Sequence, residues 1–291
     1  MNLSLFHGVP AGARYMILSA LGFALMAACV KQASQYGIPV LEIVAFRALV
    51  SLLLSYLDIK RKRLSLWGYN KPLLIARGAV GALALMCVYY AITVLPLAEA
   101  TILQYLHPVF TALLALLVLK EAIQRSTLWC IALSLAGLVI LLLPGLVPLS
   151  TLGFSWISYG AALAGALGSA IAYVLVRRLS QTEDASVIIF YFPLITLPVS
   201  LVFLGDNFVV PSVEALLVLI LVGVFTQVGQ VGLTKAMQHE TAGKATAYSY
   251  IQVVFSIALG IAWFGETPDE RTGIGGALII GGALINAAWK R

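Results

Sequence analysis

Charged residues are scarce in this sequence. Asp, Glu, Lys and Arg together make up only 10% of the chain, whereas hydrophobic residues make up 61%. Soluble domains average about 25% charged and about 45–50% apolar residues. Because this chain has too few polar groups to cover its apolar surface in water, the excess apolar surface must face lipid. The composition excludes an ordinary soluble domain and indicates an integral membrane protein.

Signatures of catalysis and of metal binding are missing too. The three cysteines are odd in number and lack metal-ligand spacing. The chain has no HExxH, GxSxG or GxxxxGK[ST] motif and no paired intramembrane carboxylates. We therefore expect no metal, no cofactor and no enzymatic activity. A membrane-embedded enzyme that modifies a lipid carrier is kept as a remote alternative.

Long apolar runs account for most of the sequence. Each is roughly 20 residues long, which at about 1.5 Å per residue crosses a hydrocarbon core of about 30 Å. Gly, Pro and charged residues mark the breaks between them. The sequence predicts ten transmembrane helices, approximately at 13–34, 38–58, 72–93, 98–119, 126–147, 155–176, 185–204, 212–234, 243–264 and 272–289.

The chain is internally repeated. Ala100–Glu121 (ATILQYLHPVFTALLALLVLKE) and Ala245–Glu266 (ATAYSYIQVVFSIALGIAWFGE) match at an offset of 145 residues, close to half of the 291-residue chain. Each half holds five apolar runs, so the second copy must cross the membrane upside down relative to the first. The predicted fold is an all-α membrane bundle of ten helices in two inverted five-helix repeats. The two repeats are 1–148 and 149–291.

Lys and Arg are distributed unevenly between the two ends of the predicted spans. With both termini inside, fourteen of them lie at inner ends and only Lys31 and Arg271 at outer ends. The positive-inside rule therefore predicts cytoplasmic termini. The net charge of +6 then reflects topology and contact with lipid headgroups, and no nucleic-acid partner is expected.

Residues 88–121, VYYAITVLPLAEATILQYLHPVFTALLALLVLKE, resemble the drug/metabolite transporter superfamily in its EamA form. The stretches AFRALVSLLL around Arg47 and ARGAVGALAL around Arg77 are similar to helices of the same family. In the second half the likeness weakens, since Val253 stands where the family has Pro. The resemblance implies a ten-helix bundle that moves small metabolites through a central cavity lined mainly by helices 1, 3, 4, 6, 8 and 9.

Polar side chains form matching stripes on the fourth and ninth predicted helices. Gln104, His107 and Thr111 are spaced three and four residues apart and share one helix face. The repeat places Ser249, Gln252 and Ser256 at the equivalent positions. Such groups at mid-depth are costly unless they face protein or water, so we expect them to line a substrate site. Hydrogen bonding between helices is the alternative.

Further candidate ligands are the amides of Gln227 and Gln230 and the phenols of Tyr89 and Tyr90. Amides and phenols suit a polar or amphipathic organic solute. One of the two adjacent tyrosines must point away from the cavity, and interfacial anchoring is the alternative for both. His107 is the only histidine in a predicted span, and it is either a proton carrier or a fixed hydrogen-bonding ligand.

Few charged residues lie inside the spans. Arg77 is a candidate substrate ligand or a snorkelling anchor, while Arg47 is expected to have a structural or gating role, with Glu99 as a possible partner. Glu42 is a coupling candidate, with Lys31 as a possible partner across the outer turn. Pro108 should release a backbone carbonyl or kink the helix. The repeated Glu121 and Glu266 are expected to cap neighbouring helix N-termini.

These observations favour a secondary transporter rather than an enzyme. We expect an exporter of a small polar or amphipathic organic metabolite, amino-acid-like or related, which works by alternating access. An uptake permease or exchanger of the same fold is the alternative. The expected setting is the bacterial inner membrane, where the protein contacts lipid as a monomer or homodimer.

Overall fold

The computed structural model describes residues 10–95, 97–142, 156–265, 267 and 270–289. Within these residues, ten helical segments are long and apolar enough to cross a membrane. The described residues contain no β-strand. The predicted all-helical fold with ten spans is confirmed. Spans 1 to 3 are α1 (Ala11–Gln35), α2 (Val40–Arg61) and α3 (Lys71–Val94). Spans 5 to 8 are α6 (Arg125–Leu142), α7 (Trp156–Leu179), α8 (Ala185–Leu204) and α9 (Val213–His239), and span 10 is α12 (Glu270–Ala288).

Spans 4 and 9 are each interrupted. Span 4 consists of α4 (Leu97–Gln104), α5 (His107–Leu114) and a π-helical turn (Ala115–Leu119). Span 9 consists of α10 (Ala242–Ala247), a 3₁₀ turn (Tyr248–Tyr250) and α11 (Ile251–Phe264). The two interruptions fall at equivalent places in the internal repeat.

Proline explains the break in span 4 but not the one in span 9. Pro108 has no N–H, and the helix restarts at His107, one residue before it. The backbone carbonyl of Tyr105, three residues earlier, accepts a hydrogen bond of 2.8 Å from the Tyr250 hydroxyl. The Tyr105 carbonyl beside the break therefore accepts a hydrogen bond from the other half of the protein. Val253 occupies the corresponding part of span 9, yet that span also breaks.

Short polar side chains begin several of the helices. Asn70 caps α3, Asp184 caps α8 and Ser212 caps α9, each by accepting a hydrogen bond from a backbone N–H in the first turn. At the other end of span 9, Gly265 closes α11 with a φ of 64°, a left-handed conformation that favours glycine.

The packing of the spans is symmetric under exchange of the two halves. Span 1 packs on span 8, and its counterpart span 6 packs on span 3. Span 2 packs on span 7 and span 5 on span 10, and each of these pairs joins equivalent helices of the two halves. This pattern is what two inverted five-helix repeats produce. The predicted boundary between residues 148 and 149 lies outside the described residues.

Small residues allow spans 1 and 8 to approach closely. The Ser19 hydroxyl donates a hydrogen bond of 2.7 Å to the Gly229 carbonyl. A Cβ added at Gly22 would lie 2.8 Å from the Gly229 nitrogen, so a larger residue would force the helices apart. Small residues at membrane helix interfaces permit such contacts.

Ionic contacts cluster at one end of the bundle, where spans 2, 4 and 6 end and spans 7 and 9 begin. The Lys62 ammonium lies 2.9 Å from both Asp58 and Asp184, and the Ser186 hydroxyl donates to Asp58. Burial by itself would lower the pKa of Lys62, but its hydrogen bonds to Asp184 and Asp58 outweigh burial and raise that pKa. Likewise, burial would raise the pKa of Asp184, whereas the Lys62 and Ser186 hydrogen bonds lower it overall.

A second ionic contact at this end joins the two halves. Glu121 lies 2.7 Å from the Arg177 Nε, and its other oxygen accepts a hydrogen bond of 2.7 Å from the Ala242 N–H. Ala242 is the first residue of α10, so the predicted helix-capping role of Glu121 is confirmed. Glu266, for which the same role was predicted, lies outside the described residues.

Candidate functional site

A cavity of about 380 Å³ lies between the two halves of the bundle. Its lining comes from spans 1 to 4 and 6 to 9. The sequence resemblance implied spans 1, 3, 4, 6, 8 and 9, and the structure adds spans 2 and 7. The lining includes seven of the residues selected from the sequence, namely Arg47, Arg77, Tyr89, Gln104, His107, Gln230 and Gln252.

Two arginines converge on one aromatic ring in this cavity. The guanidinium carbon of Arg77 lies 4.9 Å from the ring centroid of Phe192, and that of Arg47 lies 5.9 Å from the same centroid. Both positions are within the range of cation–π attraction. Arg77 is only 3% exposed. It therefore does not reach the surface, and the alternative of a snorkelling anchor does not apply. Arg47 is 9% exposed, and its Nη1 lies 3.7 Å from the Met26 sulfur.

Neither arginine forms an ion pair with any carboxylate in the part of the chain that the structure describes. Among the residues that the structure describes, none of those lining the cavity is Asp or Glu. The Arg77 Nε has no hydrogen-bond partner among the described residues. The expected pairing of Arg47 with Glu99 cannot be placed, since the Glu99 side chain is outside the described part. The lining is therefore cationic rather than merely amide-rich.

His107 lies in a cluster of aromatic rings. Its ring centroid is 5.2 Å from that of Tyr173, edge to face, and 6.1 Å from that of Tyr105. The His107 Nδ1 is buried and lacks a partner among the described residues. Thr111, from the same predicted stripe, donates to the His107 backbone carbonyl at 2.7 Å instead of facing the cavity. His107 is thus held between aromatic rings.

Gln104 and Gln252 approach the cavity from the two equivalent spans. The Gln104 amide nitrogen donates to the Ser169 hydroxyl at 3.3 Å, while its carbonyl oxygen has no described partner. Ser249, predicted beside Gln252, is buried but does not line the cavity. Ser256 lies elsewhere, in a small pocket beside Lys31. The ninth span therefore contributes one polar side chain where the sequence suggested three.

Two of the candidate ligands predicted from the sequence, Gln227 and Tyr90, do not line the cavity. The Gln227 carbonyl accepts from Ser51 at 2.6 Å, and its amide donates to Ser55 at 2.9 Å, so Gln227 links α9 to α2. This is the interhelical alternative, and Gln227 is not among the residues that line the cavity with Gln230. Tyr89 lines the cavity whereas Tyr90 is 45% exposed, because adjacent residues of a helix point in different directions.

Glu42 lies away from the cavity. It is buried in the first turn of α2 and accepts a hydrogen bond of 2.9 Å from the Val209 N–H, which joins α2 to the segment before α9. Lys31, its suggested partner, has its ammonium 4.2 Å from the centroid of the Phe264 ring. Roles of Glu42 and Glu99 in coupling stay predictions.

Several aromatic residues of the lining besides Tyr89 are not among those predicted from the sequence. Phe192, Tyr105 and Tyr173 are ordinary apolar or aromatic residues within hydrophobic runs, so the sequence gives no periodic signal for them. Gly81 offered a signal, because it lies four residues after Arg77 on the same helix face. A Cβ at Gly81 would overlap the Arg77 guanidinium and the Phe192 ring. Glycine here leaves room for the cation and the ring to meet.

Comparison with known proteins gives a consistent result. The profile of the EamA-like transporter family matches residues 10–143 and again 156–288. The pseudopaline exporter CntI of Pseudomonas aeruginosa is 34% identical over 97% of this chain and 98% of its own length. Solute carrier family 35 member G1 of Mus musculus is 29% identical over 96% of this chain and 78% of its own length. A solved crystal structure that is 20% identical superposes with a TM-score of 0.76 over 92% of this chain.

Proposed function

Because the chain belongs to the EamA-like transporter family, we propose that it exports a small polar organic metabolite by alternating access. The observation that carries this proposal is the cavity of about 380 Å³ between the two halves, lined by side chains from eight spans. Ligand sites of membrane transporters lie at repeat interfaces near mid-depth. The proposed ligands are Arg77, Tyr89, Gln104, His107, Gln230 and Gln252, with Arg47 beside them.

Export is favoured by a relative. The P. aeruginosa protein that is 34% identical over nearly its full length is named an exporter of pseudopaline. Uptake or exchange by the same fold is the alternative direction, and it makes use of the same cavity. We propose the bacterial inner membrane as the location, with both termini cytoplasmic, because the sequence predicts fourteen of the sixteen Lys and Arg residues outside the membrane interior at the inner ends of the spans.

Metabolite profiling tests the proposal. Cells that overproduce the protein should accumulate specific compounds in the medium, and cells that lack it should retain them. Purified protein in proteoliposomes should then show saturable counterflow of those compounds. Identical profiles in both strains, or flux that neither saturates nor shows counterflow, would reject an alternating-access exporter in favour of a non-transporter or a passive channel.

Cysteine accessibility tests the orientation. In a Cys87→Ser background, a cysteine at Ser65 should react with an impermeant reagent only after the membrane is opened. A cysteine at Asn207 should react in intact spheroplasts. Both positions are exposed in connecting segments, and the two other native cysteines, Cys29 and Cys130, are buried. The reverse labelling pattern would invert the proposed orientation.

A further inference from the structure

We infer that the transported compound carries two separate acidic groups, one bound by Arg47 and the other by Arg77. This inference rests on the proposed function, since it names the chemical class of what the cavity accepts. It is carried by two buried cations that share one cavity, whose described lining residues include no acidic side chain.

Charge balance is the first step of the argument. A guanidinium keeps its charge under physiological conditions, and an uncompensated charge inside a membrane protein is strongly unfavourable. Contact with the Phe192 ring returns only part of that cost. Neither Arg47 nor Arg77 has a carboxylate partner among the described residues. A bound substrate with negative charge would supply the partner that the described residues do not provide.

The positions of the arginines indicate two binding points. At about 1.5 Å per residue, the Cα of Arg47 lies roughly 21 Å from the end of α2 at Arg61, whereas that of Arg77 lies roughly 9 Å from the start of α3 at Lys71. These two helix ends are at the same end of the bundle. The two side chains therefore approach Phe192 from different depths.

The distance between the two guanidinium groups has an upper limit. Their carbons lie 5.9 and 4.9 Å from the centroid of Phe192, so the carbons are no farther apart than the sum of these distances. A small organic diacid can reach both groups. Each planar guanidinium can hold a carboxylate with two parallel hydrogen bonds, which a lysine cannot do.

Neighbouring polar atoms can complete recognition of such a compound. The Gln104 carbonyl oxygen and the His107 Nδ1 have no described partner and belong to residues of the same lining. Together with the phenols of Tyr105 and Tyr173, they suit the uncharged polar or planar part of a diacid. The two arginines set the requirement for charge, and these groups select among diacids.

Ligand-induced stabilisation of the purified full-length protein tests the inference. The probes are glutarate, which has two carboxylates, and glutaramate, which has the same skeleton with one carboxylate replaced by an amide. Inorganic phosphate serves as a compact anion. Glutarate should raise the apparent melting temperature and bind about tenfold or more tightly than either comparison compound, since each charged contact contributes at least a factor of ten.

Variants assign the effect to the two side chains. Arg47→Gln and Arg77→Gln should each remove the preference for glutarate over glutaramate, while Arg77→Lys should restore only part of it. Arg178→Gln is the matched control, because Arg178 is exposed at the end of α7 and outside the cavity. Monodisperse elution of each variant shows that it has folded. If Arg77→Gln does not fold, Arg47→Gln alone decides the result.

Several outcomes would overturn the inference. They are no stabilisation by glutarate, equal stabilisation by glutaramate or phosphate, and a preference that survives both arginine substitutions. Export of compounds with fewer than two acidic groups would also overturn it while leaving the proposed function standing. Conversely, selective glutarate binding without any transported metabolite would support the site and reject the proposed function.

Discussion

The hydroxyl of Tyr250 donates a hydrogen bond of 2.8 Å to the backbone carbonyl of Tyr105, and their rings stack with centroids 5.7 Å apart. The two residues are 145 positions apart, which is the offset of the internal repeat. They therefore occupy equivalent positions in the two halves. The interruptions of spans 4 and 9 meet at this contact, and Tyr105 itself lines the cavity. The contact joins the two halves next to the proposed substrate site.

Tyr250→Phe should weaken this junction. The substitution removes the hydroxyl and leaves the Tyr105 carbonyl without its donor, while the ring stacking is kept. We expect a loss of about 1 kcal/mol in stability, measured as a lower apparent melting temperature of the purified protein, and slower counterflow. Tyr69→Phe is the control, since that side chain is 89% exposed. Unchanged stability and flux in Tyr250→Phe would show that the hydrogen bond has no role in joining the halves.

His107→Gln distinguishes a fixed ligand from a proton carrier. Glutamine keeps a hydrogen-bonding side chain but cannot take up a proton near neutral pH. Because two aromatic rings flank His107 and the described part of the cavity lining has no carboxylate, we expect a fixed ligand. His107→Gln should then keep part of both counterflow and gradient-driven accumulation in proteoliposomes. Intact counterflow with complete loss of proton-driven accumulation would instead identify His107 as the proton carrier.

Glu121→Ala should lower the stability of the protein, because it removes contacts that join the two halves at one end of the bundle. The change removes the Arg177 ion pair and the cap on α10, both at 2.7 Å. Hydrogen bonds to charged groups contribute about 1.5–3 kcal/mol, so the apparent melting temperature should fall clearly. Glu121→Gln keeps an acceptor for the Ala242 N–H and should recover part of the loss. An exposed residue of the same type, Glu214, provides the control as Glu214→Ala; an equal fall in that variant would contradict the assignment.

The Lys62–Asp184 pair should give a constant stabilisation across the neutral range. The lowered pKa of Asp184 means that its contribution is present above the ordinary carboxyl pKa and is lost as the pH falls through the folded value. The raised pKa of Lys62 means that its contribution is lost only as the pH rises through a value above the ordinary one.

Asp184→Asn measures this contribution. The difference in melting temperature from the unmodified protein should stay constant between about pH 5 and 9, and it should shrink in stronger acid. Its size should correspond to about 1 kcal/mol or less, because both side chains are about one-third exposed. A difference that changes between pH 6 and 8 would point to another titrating group.

Gly81→Ala should displace the Arg77 guanidinium from the Phe192 ring, since the added methyl group would overlap both. Overpacking of this kind costs about 1–3 kcal/mol. Transport should be lost to a greater degree than stability, because the cation moves within the proposed site. Gly276→Ala is a matched control, as a Cβ there meets nothing within 4 Å. Normal counterflow in Gly81→Ala would show that the position of Arg77 does not matter for transport.

Part of the site followed from the sequence because polar groups inside apolar runs are conspicuous. Arg77, Gln104, His107 and Gln252 are exceptions to their surroundings, and the structure brings them to one cavity. Gln227 is equally conspicuous, but its amide is satisfied by Ser51 and Ser55. A polar residue in a membrane helix must find partners, and the sequence does not say whether those partners are protein or substrate.

The class of this protein, the ten spans and the duplication can be read from the sequence, since they depend on the length and composition of apolar runs and on self-similarity. That Arg47 and Arg77, on different helices, meet at Phe192 on a third is visible only in the packed bundle. Helices that are apolar on nearly every side carry little signal of which face turns inward. The direction of each side chain is therefore set by how the helices pack, as where Gly22 and Gly229 allow spans 1 and 8 to approach closely.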